Sequence, residues 1–405
     1  MENFAKEMAW IDTQGARMTQ LVNAWSAVNS GSHNQGGLAQ MGEIVTAAFA
    51  PLGAVLEVHE TTPGSRINEQ GKATPVRFGP VYHFKKRKGA NRTVLLTGHL
   101  DTVFPKDHPF QTPVDLDDNT LNGPGVADMK GGILVMLVAL EALERSSVGK
   151  NLGFEILLSS DEEIGSEGSG PYLADRARHA DFGMTYEPAL ADGTLAGKRK
   201  GSGNFSVVMR GIAAHAGREF DKGVNAITGL SELIGDLTAL NRQKEGLTIN
   251  PGVISGGVAT NVVPDLAILK FNVRVEDDTQ QAWFEEKYAG ILKKYQSKDG
   301  HTLESHGGFN RPPKVLTEAN VKLFEILKGY GKSIGVDVTW KPTGGCCEGN
   351  NLAAAGLPNI DTLGVRGGNI HTAEEFALLD SFTERAKLSA LLLLNYAAGN
   401  FTLPK

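Results

Sequence analysis

The sequence has 405 residues, of which 41% are hydrophobic and 21% charged, a composition typical of a globular protein with two or three domains. Its 40 basic and 46 acidic residues give a net charge of -6, so it lacks the cationic surface that binds nucleic acid or an anionic membrane. The longest apolar run, residues 133–140, is too short to span a bilayer, and the first residues do not resemble a signal peptide. The adjacent Cys346 and Cys347 suit free thiols in a reducing compartment. We therefore expect a cytoplasmic protein with no nucleic-acid partner and no membrane partner.

The first 197 residues alternate between helical and strand patterns, which indicates a mainly parallel sheet covered by helices. The predicted elements are, in chain order, helices at 21–28 and 41–52, strands at 80–84 and 93–97, a helix at 129–143, and strands at 154–158 and 182–186. The helix at 129–143 has apolar residues at three- and four-residue spacing, which predicts a broad buried face.

Residues 198–311 have a different pattern, which predicts an inserted domain. The elements are a strand at 206–211, a helix at 224–240, strands at 252–258 and 267–275, a helix at 280–295 and a weak strand at 301–305. Residues 267–275 alternate apolar and polar side chains, as in an antiparallel strand with one face in solvent. This β-α-β-β-α-β order is that of a split βαβ sandwich.

A cluster of strand-breaking residues at 310–313 ends the insertion, and α/β character resumes over residues 312–405. The predicted elements there are a helix at 321–329, strands at 336–340 and 360–363, and a helix at 383–397. We predict that residues 1–197 and 312–405 together form one α/β domain, interrupted by the inserted domain.

Ionisable side chains follow several of the predicted strands, at the sheet edge where α/β proteins bind ligands. They are His99, Asp101, Asp128, Glu162, Glu163, Glu187 and His371. So many carboxylates at one edge are unfavourable unless cations neutralise them, which indicates a divalent metal. Imidazole and carboxylate ligands without thiolate suit zinc, with cobalt or manganese as alternatives. A pair of metals about 4 Å apart needs five protein ligands, one of them bridging, and two histidines with three carboxylates supply that number.

Two carboxylates of this set have other predicted uses. Asp101 lies two residues after His99, where it can accept the ring N–H of that histidine and fix its tautomer. Glu162, next to a predicted ligand, can act as a general base toward a water molecule.

Three motifs carry a resemblance to a known family. They are GHLDTV at 98–103, GPGVADMKGG at 123–132 and SDEEIGS at 160–166. Together, and in this order, they resemble the zinc-dependent carboxypeptidase and deacylase family, which includes bacterial glutamate carboxypeptidase, acetylornithine deacetylase and succinyl-diaminopimelate desuccinylase. The similarity extends over nearly the whole chain.

The resemblance implies a role for each candidate metal ligand. His99, Asp128 and Glu187 would hold one metal ion, and Asp128, Glu163 and His371 the other, so that Asp128 bridges the two. Glu162 matches the general base and Asp101 the residue that orients the first histidine. A glutamate at the position of Glu187 is more usual in the carboxypeptidases and deacylases than in the aminopeptidases of this family.

The resemblance also implies that the inserted domain is a lid that forms a homodimer. His215, in the motif GIAAHAG at 211–217, matches the histidine that reaches the partner's active site and stabilises the oxyanion. Asn261 and Arg274 match positions that bind the carboxylate of the substrate, and Arg311 is a further candidate for that role. The segment 344–350 (GGCCEGN) departs from the family pattern, which has small or hydroxyl residues followed by aspartate.

The sequence leaves the substrate open between two kinds of amide. A short peptide with a carboxylate-bearing, glutamate-like C-terminal residue suits a carboxypeptidase, and an N-acyl amino acid suits a deacylase of the acetylornithine or succinyl-diaminopimelate type. A non-catalytic small-molecule binding protein on the same fold is the alternative outside enzymes, although the retained Glu162 argues against it. Asp128 occupies the third glycine position of a dinucleotide-binding motif, which argues against that class.

Overall fold

The chain folds around a central sheet with helices on both of its faces. The computed structural model describes residues 4–296, 298 and 300–404. The helices before the insertion are α1 (Ala5–Asp12), α2 (Gly15–Ser26), α3 (Gln35–Phe49), α4 (Lys130–Arg145) and α5 (Gly170–Ala177). The strands of this part are β1 (Val55–His59), β2 (Gly64–Ile67), β3 (Ala73–Val76), β4 (Val81–Lys86), β5 (Thr93–His99), β6 (Val114–Asp115), β7 (Thr120–Asn122), β8 (Gly153–Ser159), β9 (Phe182–Thr185), β10 (Ala189–Leu190) and β11 (Leu195–Arg199).

The inserted segment and the last part of the chain supply the remaining elements. The insertion contains β12 (Gly201–Arg210), β13 (Ala214–His215), α6 (Ala226–Ala239), β14 (Thr248–Gly256), β15 (Val262–Val263), β16 (Leu266–Val275), α7 (Asp278–Gln296) and β17 (Thr302–Arg311). The last part contains α8 (Glu318–Ser333), β18 (Trp340–Thr343), α9 (Glu348–Ala354), β19 (Asn359–Ile360), β20 (Arg366–Gly368), β21 (Phe376–Leu378) and α10 (Ser381–Ala397). No helix among these described residues is long and apolar enough to cross a membrane.

The central sheet has the strand order β1–β4–β8–β5–β9–β19. The pairings from β8 to β19 are parallel, and the two pairings of β4 are antiparallel. Its inner strands are buried on both faces, since Leu96 packs in the cluster that contains α4 and Leu95 in the cluster that contains α5 and α9. Such strands need continuous apolar sequence, which is why the run around residue 95 was recognisable. The predicted α/β fold with a mainly parallel sheet is confirmed.

The inserted segment forms its own antiparallel sheet of four strands, in the order β14–β16–β12–β17. Helices α6 and α7 cover one face, where Val207, Leu269 and Phe271 form a separate core. The predicted β-α-β-β-α-β order is confirmed. The other face is only partly solvated, because the β2–β3 hairpin places Ile67 against Val208 and Ile268.

Several predicted strands have different bounds in the structure, including those predicted at 206–211 and 252–258, which begin earlier as β12 and β14. The strand expected at 336–340 lies instead at β18, and the strand expected at 360–363 is shortened to β19. The chain leaves the central sheet there because Asp361 pairs with Arg199 and Thr362 has a positive φ of 59°. The weak strand expected at 301–305 extends to Arg311, because Gly307 packs directly against the backbone of Asn204 on β12.

A buried histidine links two layers of the main domain. His83 on β4 is fully buried, with Nδ1 2.7 Å from the Tyr172 hydroxyl and Nε2 2.9 Å from Oε2 of Glu155. The neutral ring satisfies both contacts if Nε2 donates to Glu155 and Nδ1 accepts from Tyr172. Burial lowers the pKa of His83, although the hydrogen bond to Glu155 opposes that shift.

This pKa shift predicts acid sensitivity. The pKa of His83 in the folded state lies below its unfolded value of 6.5. Below about pH 6.5 the folded state therefore binds fewer protons than the unfolded state, and the free energy of unfolding falls as the pH is lowered through that range. His83→Gln removes the titration and keeps a donor and an acceptor. We expect the stability difference between wild type and variant to shrink as the pH is lowered from about 7.5 to about 5, with a slope of at most about 1.4 kcal/mol per pH unit. Urea unfolding at each pH measures this, and a difference independent of pH would contradict it.

Candidate active site

The five predicted metal ligands meet at one edge of the central sheet. His99 ends β5, Glu163 follows β8, and Glu187 follows β9, so parallel strands bring these three together. Asp128 lies two residues before α4. His371 lies in the loop between β20 and β21, two short strands of a second sheet with the order β10–β20–β21–β7–β6.

These five side chains form two groups that share Asp128. In the first, Nε2 of His99 lies 3.1 Å from Oδ1 of Asp128 and 3.8 Å from Oε1 of Glu187. In the second, Nε2 of His371 lies 3.3 Å from Oδ2 of Asp128 and 3.2 Å from Oε2 of Glu163. The ligand atoms of each group lie within 4.8 Å of one another. Asp128 thus offers a different oxygen to each group, as a bridging carboxylate does.

The electrostatics of the groups fit divalent cations. Burial and the charge of Asp128 raise the pKa of Glu163 to about 8, and the same two causes raise the pKa of Glu187 well above its usual value. Hydrogen bonds to Asp128 and Glu163 raise the pKa of His371 to about 11. Oε1 of Glu187 is buried without a hydrogen-bond partner among the described residues. A cation bound in each group would replace these protons and use the unpartnered oxygen.

Asp101 orders this site through two different parts of the residue. Nδ1 of His99 lies 2.9 Å from the main-chain oxygen of Asp101 and 3.5 Å from its Oδ1. The carboxylate accepts hydrogen bonds from the backbone N–H groups of Glu162 and Glu163, each at 3.1 Å, and from the hydroxyl of Ser32 at 2.7 Å. The sequence predicted that the carboxylate of Asp101 accepts the ring N–H of His99, but the main-chain carbonyl of Asp101 is the nearer acceptor. The carboxylate instead binds the turn that carries Glu162 and Glu163.

Glu162 and both candidate arginines border one cavity of about 500 Å³. Arg274 on β16 donates to Oδ1 of Asn272 at 2.9 Å and to Sγ of Cys346 at 3.0 Å. Arg311, at the end of β17, lies with Nη2 2.7 Å from Oε1 of Glu162. The described lining also includes Asp128, Glu163, Glu187, Arg199, Lys341 and His371. The cavity therefore lies between the two metal-ligand groups and the inserted sheet.

His215 and Asn261 lie away from this cavity within one chain. Both are exposed on a two-stranded ribbon in which β13 pairs with β15, and the N–H of Ala216 donates to the Asn261 carbonyl at 3.0 Å. Nδ1 of His215 accepts from the N–H of Gly217 at 3.1 Å. Neither belongs to the described lining of the cavity. The structure thus brings together the metal ligands, Glu162, Arg274 and Arg311, but not these two residues.

Sequence reasoning missed Glu375. Its buried carboxylate accepts hydrogen bonds from the N–H groups of Gly125 at 3.1 Å and of Ala127 and Asp128 at 3.0 Å. It therefore fixes the turn that presents Asp128. The only sequence signal was indirect: the glycine-rich turn at 123–125 exposes N–H groups that need an acceptor, but its identity depends on a contact 250 positions away.

Sequence reasoning also missed a buried group at the cavity, in which Arg199 borders the cavity and Asp361 is fully buried. Arg199 pairs with both oxygens of Asp361, and Sγ of Cys347 donates to Oδ2 of Asp361 at 3.1 Å. Cys347 is buried, and this burial raises the pKa of its thiol, whereas Cys346 is half-buried and borders the cavity. Both thiols are free, as predicted from their adjacency.

The departure from the family pattern at 344–350 places Glu348 inside the protein. Glu348 is fully buried, and its Oε1 accepts from the hydroxyl of Ser159 at 2.5 Å. Its Oε2 has no partner among the described residues. Burial raises the pKa of Glu348 to about 8, so the carboxyl is neutral at neutral pH.

The comparisons with known proteins decide the family. The sequence model of peptidase family M20/M25/M40 matches residues 95–395, which is more than half of the chain. The chain belongs to this family. The M20 assignment confirms the predicted resemblance, and with it the prediction of a metal-dependent hydrolase.

Two curated M20 relatives represent the two substrate classes. Carboxypeptidase G2 of Pseudomonas sp. (strain RS-16) is 29% identical over 392 residues, covering 94% of this chain and 89% of that protein. The succinyl-diaminopimelate desuccinylase of Verminephrobacter eiseniae is 25% identical over 355 residues, covering 83% and 86%.

Solved structures share the whole fold. A tripeptidase from Staphylococcus aureus superimposes with a TM-score of 0.75 at 23% identity and covers 95% of this chain and 99% of that one. A Bacillus subtilis protein, described as a dinuclear metal-binding peptidase from the M20 family, superimposes with a TM-score of 0.62 at 13% identity and covers 96% and 99%.

Glu348 generates a test of the electrostatics of the site. Its folded pKa of about 8 lies above the unfolded value of 4.5, so the free energy of unfolding falls as the pH rises between these values. We expect Glu348→Gln to be stabilising relative to wild type in metal-free protein, by an amount that grows from about pH 5 to about pH 8 with a slope of up to about 1.4 kcal/mol per pH unit. Urea unfolding at each pH measures this, with Glu286→Gln at an exposed position as the control. A constant difference would contradict the shifted pKa.

Proposed function

We propose that this M20 hydrolase is a dimetal amidohydrolase that cleaves an amide or peptide bond next to a carboxylate-bearing amino acid, as a glutamate carboxypeptidase does. The observation that carries the proposal is the position of Glu162 between the paired ligand groups and the arginines of the inserted sheet. The carboxypeptidase G2 relative supports the same reading.

The metal ligands are proposed as two sets. His99, Asp128 and Glu187 hold one ion, and Asp128, Glu163 and His371 hold the other. Their imidazole and carboxylate donors favour zinc, with cobalt or manganese as alternatives. Two such ions, when bound, polarise the scissile carbonyl and make a water molecule more acidic.

Residues of the chain perform the proton transfer and the binding. Glu162 accepts a proton from the attacking water and delivers it to the nitrogen of the leaving amine. Arg274 reaches into the cavity from the inserted sheet and suits a carboxylate, because a guanidinium can donate two parallel hydrogen bonds. Asp101 orders both His99 and the turn that carries Glu162.

The alternative substrate is an N-acyl amino acid, cleaved by a deacylase of the acetylornithine or succinyl-diaminopimelate type. The desuccinylase relative favours it. The two activities differ in which side of the amide carries the recognised group. A panel of dipeptides with C-terminal glutamate and of N-acetyl, N-succinyl and N-benzoyl amino acids separates them.

Removal of the metal ions and substitution of Glu162 test the proposal. We expect about two divalent ions per chain by elemental analysis, activity on one class of the panel, loss of activity on chelation and recovery with zinc or cobalt. Glu162→Gln should lower kcat by about 100-fold or more without changing the metal content, because it removes the proton acceptor and leaves the ligands.

Two outcomes would contradict this reading. Full activity of Glu162→Gln would exclude Glu162 as the base. Purified protein that binds no divalent ion would exclude the ligand assignment.

We also propose that residues 198–311 form a lid and dimerisation domain between two parts of the catalytic domain, residues 1–197 and 312–405. In support, this segment has its own sheet and core, and β14 is an unpaired edge among the described strands. The segment also exposes apolar side chains: Val253 and Ile254 on β14 are 55% and 58% exposed, and Val258, Ile212, Phe220 and Ile227 are 40% to 86% exposed. His215 and Asn261 are exposed on the same domain, which suits residues that complete the partner's site.

The proposed dimer predicts that two different inactive variants restore activity when their subunits are mixed. Homodimers of Glu162→Gln and of His215→Ala should each be nearly inactive. In a mixed dimer, one site contains both substitutions and the other contains neither, so activity should recover toward about half of the wild-type value per mixed dimer.

Ile254, which is exposed on the edge strand β14, supplies the structural control. Ile254→Asp should shift the protein to monomer in sedimentation velocity, whereas Val58→Asp, an exposed valine on β1, should not. A dimer that survives Ile254→Asp, or mixtures without recovery, would refute the interface or the role of His215.

A further inference from the structure

Arg311 borders the cavity, but its guanidinium is bound to Glu162, the proposed general base. Its Nη2 lies 2.7 Å from Oε1 of Glu162, 2.5 Å from the Glu162 carbonyl and 2.9 Å from the hydroxyl of Ser166. Its Nη1 donates to the carbonyl of Cys346 at 3.3 Å. The guanidinium thus binds both the side chain and the main chain of Glu162, as well as the turn that follows it.

This contact is a buried charge pair. The side chains of Arg311 and Glu162 are each 7% exposed. Burial is the largest single influence and lowers the pKa of the Arg311 guanidinium, but the charge of Glu162 and the thiols of Cys346 and Cys347 together raise this pKa above its usual value. A buried pair of this kind fixes geometry, because moving either partner leaves a charge without its counter-charge. Arg274 differs, since the side-chain hydrogen bonds that it makes with described residues go to Asn272 and Cys346 and not to a carboxylate.

Arg311 also occupies one of the two chain crossings between the inserted sheet and the main domain. The crossings are tied to each other, because the N–H and C=O of Arg199 bond with the C=O and N–H of Lys314, each at 3.0 Å. Nδ2 of Asn350 donates to both crossings, at 3.0 Å to the carbonyl of Lys200 and at 2.8 Å to that of Pro312.

Two buried side chains fasten the crossings to the main domain. Arg199 pairs with Asp361, and Nζ of Lys314 donates to Oδ1 of Asn359 at 2.6 Å. Arg311 therefore holds a fixed place beside the turn of Glu162 even though it ends a strand of the lid.

We propose that Arg311 is a positioning residue for the general base Glu162, which it orients from the hinge of the lid, and that it does not bind the substrate carboxylate. This inference rests on the proposed function. It replaces the sequence-based expectation for Arg311 and leaves Arg274 as the arginine that faces the substrate. A guanidinium that acts through Glu162 affects the chemical step, whereas one that binds substrate affects affinity.

Steady-state kinetics of paired variants separate the two roles. We expect Arg311→Met to lower kcat by about 100-fold with a change in KM below about threefold, because a misplaced base slows the chemical step. The matched control, Arg274→Met, should mainly raise KM. Arg311→Lys keeps the charge but not the two-pronged donor, so its kcat should fall between wild type and Arg311→Met.

A double-mutant cycle tests whether Arg311 acts through Glu162. In the Glu162→Gln background, Arg311→Met should cause little further loss, since the base is already absent. Losses that multiply, or an Arg311→Met variant that raises KM with kcat intact, would overturn the proposal. Metal content and cooperative unfolding of each variant verify the fold, and Arg311→Lys supplies the comparison if Arg311→Met is unstable.

The cycle also distinguishes this inference from the proposed function. If Glu162→Gln retains full activity, the proposed mechanism fails. If Glu162→Gln is inactive and Arg311→Met changes only KM, the mechanism stands and the positioning role of Arg311 fails.

Discussion

Four buried carboxylates and two imidazoles meet at one edge of the central sheet, and their charge constrains the surrounding structure. Asp128, Glu162, Glu163 and Glu187 are all largely buried, where each additional negative charge disfavours its neighbours. This repulsion, together with burial, raises the pKa values of Glu163 and Glu187 in the protein without bound metal. Two divalent cations would resolve it, which is the physical reason for the proposed ligand arrangement. The same burial would strengthen the electrostatic effect of such cations on a bound substrate, because electric fields are stronger where water is excluded.

The chain also contributes cationic side chains to the lining of the same cavity. Arg274 and Arg311 come from the inserted sheet, and Arg199 lies at the crossing into it. Arg311 and Arg199 are paired with Glu162 and Asp361, so they hold structure, whereas Arg274 has no carboxylate partner among the described residues. The three arginines therefore differ in role because their partners differ, although the residue type is the same. The proposed function thus depends on how the inserted sheet is joined to the main domain.

Three features hold that sheet. The paired crossings join it to the main domain near the cavity. At its other face, the β2–β3 hairpin packs Ile67 against Val208 and Ile268, and Arg210 donates to the carbonyl of Gly71 at 2.8 Å. The hairpin explains why Ile268 interrupts the polar positions of β16: it faces another part of the chain and not solvent. Alternation on β16 predicted the strand, but a partner some 200 positions away could not be read from local periodicity.

The sequence by itself determined the α/β class, the inserted β-α-β-β-α-β unit and the ligand types, because apolar periodicity and strand-end motifs are local signals. It also placed His99, Glu163 and Glu187 near one another, since the parallel strands that precede them end at the same edge. Only the tertiary structure decided that Glu375 fixes the turn of Asp128, that the carbonyl of Asp101 meets His99, and that Arg311 binds Glu162. The contacts of Glu375 and Arg311 join residues that are far apart in the sequence, which local patterns cannot relate. The contact of Asp101 depends on which of its two acceptor groups, carbonyl or carboxylate, lies nearer to His99. Their partners are set by the way the sheets pack, which local sequence patterns do not specify.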